Sequence, residues 1–140
     1  MFILAHQPVE IMLSFGNPTT SAHKIKAAGA KLICQVRTLA LAREAVAAGA
    51  DVIVAPGAKA GGHAAARATF TLVPELADYL SVAAPDTVLI AAGGKVDGRG
   101  LAAVLMLAAD GVLVGTRFLA STQALIAPNL RAAVLAADGD

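Results

Sequence analysis

Residues 27–55 read AAGAKLICQVRTLALAREAVAAGADVIVA, and the fold is decided there. Ala-Gly-Ala occurs twice, at 28–30 and 48–50. Each copy sits between an Ala-rich stretch of helical character and a short apolar run, 31–36 after the first and 52–55 after the second. Glycine just past the last helical residue is the usual stop signal, and Thr38 is placed to cap the helix over 39–48. The twenty-residue spacing therefore equals one strand–helix unit. The apolar runs are short and carry few polar residues, as strands do when helices cover a parallel sheet.

Working outward, the same unit recurs. Towards the N-terminus, a strand over 10–15 precedes the turn Gly16-Asn17-Pro18 and a helix over 19–28 that stops at Gly29. Beyond residue 55 a Gly-rich loop runs to about Phe70, followed by a helix over 73–82, a turn at Pro85-Asp86 and a strand over 87–92. A helix from Asp97 or Gly98 through Ala108 leads to a fifth strand over 112–114. A last helical segment over 122–137 contains Pro128, which predicts a break or a second short helix there.

Five strands alternating with helices predict an α/β fold of parallel (β/α) units. An eight-stranded barrel needs three more such units. The expectation is thus an incomplete barrel, either an open half-barrel or a piece of something larger. No linker or composition shift divides residues 1–140, so they read as a single domain.

Hydrophobic residues make up 57% of the 140 and mean hydropathy is +0.70, which excludes intrinsic disorder. Eleven basic and ten acidic residues leave a net charge of +1 with no block of like charge, so neither nucleic acid nor an anionic membrane is an expected partner. No apolar run approaches the roughly 18 residues of a membrane span, and the N-terminus lacks the marks of a secretory signal. The single cysteine, Cys34, cannot form an internal disulfide and lies within an apolar run, which suits a buried structural role in a cytoplasmic protein.

Three loops follow strands and carry chemistry. The first, PGAKAGGH over 56–63, brings Gly57, Gly61 and Gly62 to His63. Glycine lets the backbone approach a ring or phosphate closely, and imidazole exchanges a proton near neutral pH. A tight turn with a surface imidazole is the plainer reading of the same residues. The second loop is Gly93-Gly94 and the third Gly115-Thr116, each leading toward a helix. Barrel enzymes hold phosphates on such turns through backbone N–H groups and helix N-termini, whereas each turn taken singly is ordinary turn chemistry. No GxGxxG or Walker loop occurs. His6 and His23 lack ligand-type neighbours and read as surface residues, so no metal site is expected. Arg67 and Arg117 lie in or beside the loops and read as anion-attracting or simply solvated, and Asp97 reads as a helix cap.

At PGAKAGGH, at AAGGKVDGRGLAAVL over 91–105 and at DGVLVGTRFLAS over 110–121, the sequence resembles the nitronate monooxygenase family and the related FMN-dependent enoyl-acyl-carrier-protein reductases. The resemblance runs from about Leu13 to the end. It implies the C-terminal part of an FMN-binding (β/α)8 TIM barrel, with Gly61 and Gly62 beside the isoalloxazine ring and Gly93, Gly94, Gly115 and Thr116 around the phosphate. It implies His63 as the base that takes the α-proton of a neutral nitroalkane, with a nitronate or nitroalkane and dioxygen as the small-molecule substrates. An enoyl reductase using NAD(P)H and a catalytically silent flavin-binding half-barrel are the alternatives. Three positions depart from the family pattern: Pro56 and Leu113 stand where glutamine is usual, and Lys59 where glutamate is. The family's first three units have no counterpart, so a second copy or a partner chain is expected over the open barrel edge.

Overall fold

The computed structural model describes residues 2–60, 66–94 and 97–137. A 3-10 turn (Phe2–His6) leads into β1 (Glu10–Leu13), α1 (Thr19–Ala27), β2 (Lys31–Gln35), α2 (Leu39–Ala47) and β3 (Val52–Pro56). Then come α3 (Thr69–Ala83), β4 (Val88–Ala92), α4 (Gly98–Met106), β5 (Gly111–Leu113), α5 (Thr116–Leu119) and α6 (Pro128–Ala136). The five strands form one parallel sheet in chain order, β1-β2-β3-β4-β5. The sheet does not close, and β1 and β5 are its edges.

The helix ends show why the Ala-Gly-Ala repeat works. After α1, Gly29 N–H donates to Lys26 O and Ala30 N–H to Ile25 O. After α2, Gly49 and Ala50 bond Val46 and Ala45 in the same way. Gly29 and Gly49 have φ of +75° and +80°, the left-handed conformation this termination needs. The device appears a third time after α4, where Ala108 N–H reaches Leu105 O and Ala109 N–H reaches Val104 O. There an alanine occupies the left-handed position, with φ +64°. It escaped the sequence reading because the glycine that marks it elsewhere is missing.

Alternation along the strands sorts the two faces. Leu32, Cys34, Ile53, Ala55, Leu89 and Ala91 point into the layer formed by Ala22, Ile25, Ala42, Ala45, Leu72 and Leu76 of the helices, and these side chains form the core. Each fully buried Leu or Ile there contributes on the order of 1.5–3 kcal/mol. The opposite face carries Met12, Ile33, Val88, Ile90 and Leu113, all of them partly or largely accessible. Two aspartates tie the lower ends of the strands together. Asp51 accepts from Leu32 N–H at 2.8 Å and from Lys26 and Lys31, and Asp110 accepts from Leu89 N–H at 2.7 Å.

Several boundaries differ from expectation. The first strand stops at Leu13 rather than residue 15, giving way to the bend before the Gly16 turn. The third helix begins at Thr69, not Val73, and holds Pro74 in its interior. The carbonyl that Pro74 leaves without a helical partner belongs to Phe70, in the exposed first turn, where water can satisfy it. The last helix begins at Pro128. A proline at the first helical position has no N–H to lose and a ready-set φ, so it starts α6 as the expected second short helix, and 122–127 form no helix ahead of it.

Candidate functional site

Register brings the strand ends level. Pro56 at the end of β3 partners Ala92 at the end of β4, which in turn partners Leu113 at the end of β5. The loops after these strands consequently share one rim of the sheet. They enclose a cavity of about 490 Å3 lined by Gln35, Pro56, Lys59, Ala60, the turn 92–94 and residues 113–117, with Leu119. Ligand pockets typically occupy about 300–1,000 Å3.

The first two loops are locked to each other. Gly57 N–H donates to Ala92 O at 3.0 Å, Ala60 N–H closes a turn onto Gly57 O, and Ala58 N–H reaches Arg67 O at 2.8 Å. Gly93 packs against this turn so closely that a Cβ would lie 2.6 Å from Ala60 Cα, and its φ is +86°. Only glycine fits there. Gly94 follows with φ +74° beside the Lys59 side chain. Gly115 is different. Its φ of −111° suits any residue, and a Cβ would meet nothing within 4 Å. The fold itself does not require a glycine at 115, yet its absence of a side chain leaves backbone bare on the cavity wall.

The structure thus gathers Gly93, Gly94, Gly115 and Thr116 around one cavity. Gly61, Gly62 and His63 lie outside the described residues. The chain enters that segment from Ala60, itself part of the cavity lining. The charged side chains among the described lining residues, Lys59 and Arg117, are both cationic. Arg67, by contrast, is committed elsewhere, bonding Glu75 and the Thr71 carbonyl.

Asp97 caps α4, accepting from the N–H groups of Arg99 at 3.0 Å and Gly100 at 3.3 Å. The Arg99 guanidinium and then the Gly100 amide hold its carboxyl below the usual carboxylate range. Those first amides of α4 are therefore taken by a carboxylate of the chain itself. The start of α4, behind Gly93-Gly94, thus already has a partner for these amides. Cys34 is buried in the core, and burial pushes its thiol up to about 11, which leaves it protonated and unreactive. No cluster of His, Cys, Asp or Glu that could hold a metal occurs among the described residues. Nor is any helix among them long and apolar enough to cross a membrane.

Sequence reading missed Gln35 as a lining residue. Its signal was a polar side chain closing the apolar stretch Leu32-Ile33-Cys34, outweighed by the pull of the glycine loops.

Residues 2–140 match the family model described as nitronate monooxygenase. A nitronate monooxygenase from Neurospora crassa is 45% identical over 104 residues, covering 71% of this chain and 28% of that protein. The (3aS,4S,5R,7aS)-5-hydroxy-7a-methyl-1-oxo-octahydro-1H-indene-4-carboxyl-CoA dehydrogenase of Mycobacterium tuberculosis is 42% identical over 103 residues, covering 74% and 28%. Among solved structures, FabK from Thermotoga maritima superposes with a TM-score of 0.88 at 36% identity, covering 96% of this chain and 42% of that one. The chain spans roughly a quarter to under half of the length of these relatives.

Proposed function

Because the chain belongs to the nitronate monooxygenase family, we propose that it is the C-terminal part of an FMN-binding (β/α)8 barrel and acts as an oxidoreductase on alkyl nitronates with dioxygen. One observation supports this above all: glycine turns from the ends of β4 and β5 meet at a single cavity of about 490 Å3 with cationic side chains in its wall. The residues present suit FMN. Backbone at Gly94, Gly115 and Thr116 offers N–H donors for a phosphate, Gly115 leaves room for close approach, and Lys59 and Arg117 offset the negative charge.

Bound there, FMN supplies the oxidation of the nitronate and the reaction with dioxygen. The chain's own residues place and hold it. Gly61 and Gly62 leave room beside the ring, and His63 removes the α-proton of a neutral nitroalkane, a step that an ionised nitronate does not need. Pro56 and Leu113 offer no side-chain hydrogen bond, so binding rests on backbone donors and the two cations. The lone, buried Cys34 suits a cytoplasmic setting. A second copy or partner chain over the β1 and β5 edges would complete the pocket.

A second reading rests on the relative named for a carboxyl-CoA substrate: a flavin-dependent reductase or dehydrogenase of acyl thioesters on the same scaffold. The test is direct. The purified chain is titrated with FMN while flavin fluorescence is followed, then assayed for oxygen uptake with an alkyl nitronate. Saturable quenching with nitronate-dependent uptake is expected. Quenching with anaerobic NADH oxidation dependent on an acyl thioester selects the second reading, quenching with neither activity leaves a silent flavin-binding protein, and no quenching overturns all three.

A further inference from the structure

The strand face that looks into the cavity is apolar except at one place. Reading across it, Met12, Ile33, Val54, Pro56, Ile90, Ala92 and Leu113 present hydrocarbon, and Glu10 and Lys31 stand at the far, N-terminal ends of their strands. Gln35, the last residue of β2, is the exception. Its neighbours Cys34 and Val36 face the helical core, so alternation turns Gln35 to the cavity side, level with Val54. It lines the main cavity and also a cleft of about 60 Å3 between the ends of β1 and β2. Its carboxamide makes no hydrogen bond to any described residue. A carboxamide offers two donors and two acceptor sites side by side. Water satisfies them while the cavity is open, but a ligand that fills it must present polar atoms at this spot or leave the amide stranded.

Strand spacing says which part of a ligand that would be. A phosphate on the turns after β4 and β5 stands two to three strands from Gln35, about 10–14 Å at roughly 4.8 Å per strand. FMN carries its phosphate at one end of a ribityl chain and its ring system at the other. With a phosphate anchored at Gly94 and Gly115, the ring would reach across β3 toward β2. We propose that the Gln35 carboxamide hydrogen-bonds the alternating carbonyl and N–H edge of the bound flavin ring and so fixes its orientation in the cavity. This rests on the FMN reading above and adds a specificity-determining residue to it.

The test compares FMN with riboflavin, which has the ring but no phosphate, by fluorescence titration of the full chain. Gln35→Met and Gln35→Leu replace the amide with hydrocarbon among hydrocarbon neighbours, and thermal unfolding of the ligand-free variants should match the wild type. Each variant is expected to lose about five- to tenfold in affinity for both flavins by the same factor, the net worth of one or two hydrogen bonds. The visible absorption band of the bound flavin should also shift. Unchanged affinity for both flavins, or a loss confined to FMN, overturns the assignment. A wild-type chain that binds neither flavin overturns the functional reading and this inference together. A wild type that binds both while the variants bind equally well overturns the inference alone.

Discussion

Replacing Ala108 by glycine should make this protein more stable, although it removes a side-chain atom and adds no contact. Ala108 closes α4 with φ +64°, where its Cβ crowds the backbone, while Gly29 and Gly49 fill the equivalent positions after α1 and α2. Left-handed geometry costs a non-glycine residue about 1–2 kcal/mol. Against that, glycine loosens the unfolded chain, at a cost of about 0.4–1 kcal/mol. Ala108 is exposed, so losing its methyl group sacrifices no buried surface. The balance is a gain of about 0.5–1 kcal/mol.

In urea this moves the unfolding midpoint up by about 0.3–0.7 M at unchanged slope, and in thermal melts it raises Tm by about 2–3 °C. Gly49→Ala provides the mirror image. At φ +80° its new Cβ would meet nothing within 4 Å, so conformation alone should lower stability by about 1 kcal/mol. A neutral or destabilising Ala108→Gly alongside a destabilising Gly49→Ala would refute the claim that the third helix stop is strained.

Gly93→Ala drives a Cβ into the Ala60 backbone at a positive φ, and should cost about 1–3 kcal/mol and weaken flavin binding, read by urea melts and fluorescence titration. Gly115→Val meets open space, so the melt should be unchanged while FMN affinity drops at least tenfold and riboflavin affinity less; equal affinities would remove the phosphate assignment. His63→Asn should abolish oxygen uptake with neutral nitroalkanes yet leave uptake with preformed nitronates, and comparable loss with both would exclude a base at this position. Desolvation alone would raise the Asp51 carboxyl, but bonds from Lys26, the Leu32 amide and Lys31 prevail and lower it from 3.8 to about 2. A depressed carboxylate lends its stability above pH 4 and loses it as pH falls through 2. With exposed lysines as partners, that arm should span about 1–2 kcal/mol and flatten in Asp51→Asn, as acid titration of unfolding would show.

The order and type of the elements that build the sheet follow from the sequence because both signals are local. Apolar runs define the strands, and a glycine two residues past the last helical residue closes α1 and α2 through hydrogen bonds only five residues long. Where a local signal has two meanings, reading left it open. Pro128 fits a break or a second short helix, and the backbone on either side decided for a helix start. From sequence the start of α3 reads four residues late, at Val73 instead of Thr69. The chain also specified its glycine loops and the Asp97 cap of α4, but not that Gly93 is held by contact with Ala60, thirty-three residues earlier.

Composition and spacing alone therefore determined five parallel strand–helix units and three loops after strands, since periodicity and helix stops are written within a few residues. Tertiary structure alone decided that Pro56, Ala92 and Leu113 stand level, so that their loops share one cavity, and that Gln35 looks into it. Register and facing depend on how distant strands pair, and a parallel pair is set by packing across a whole helix rather than by any residue beside it in the chain.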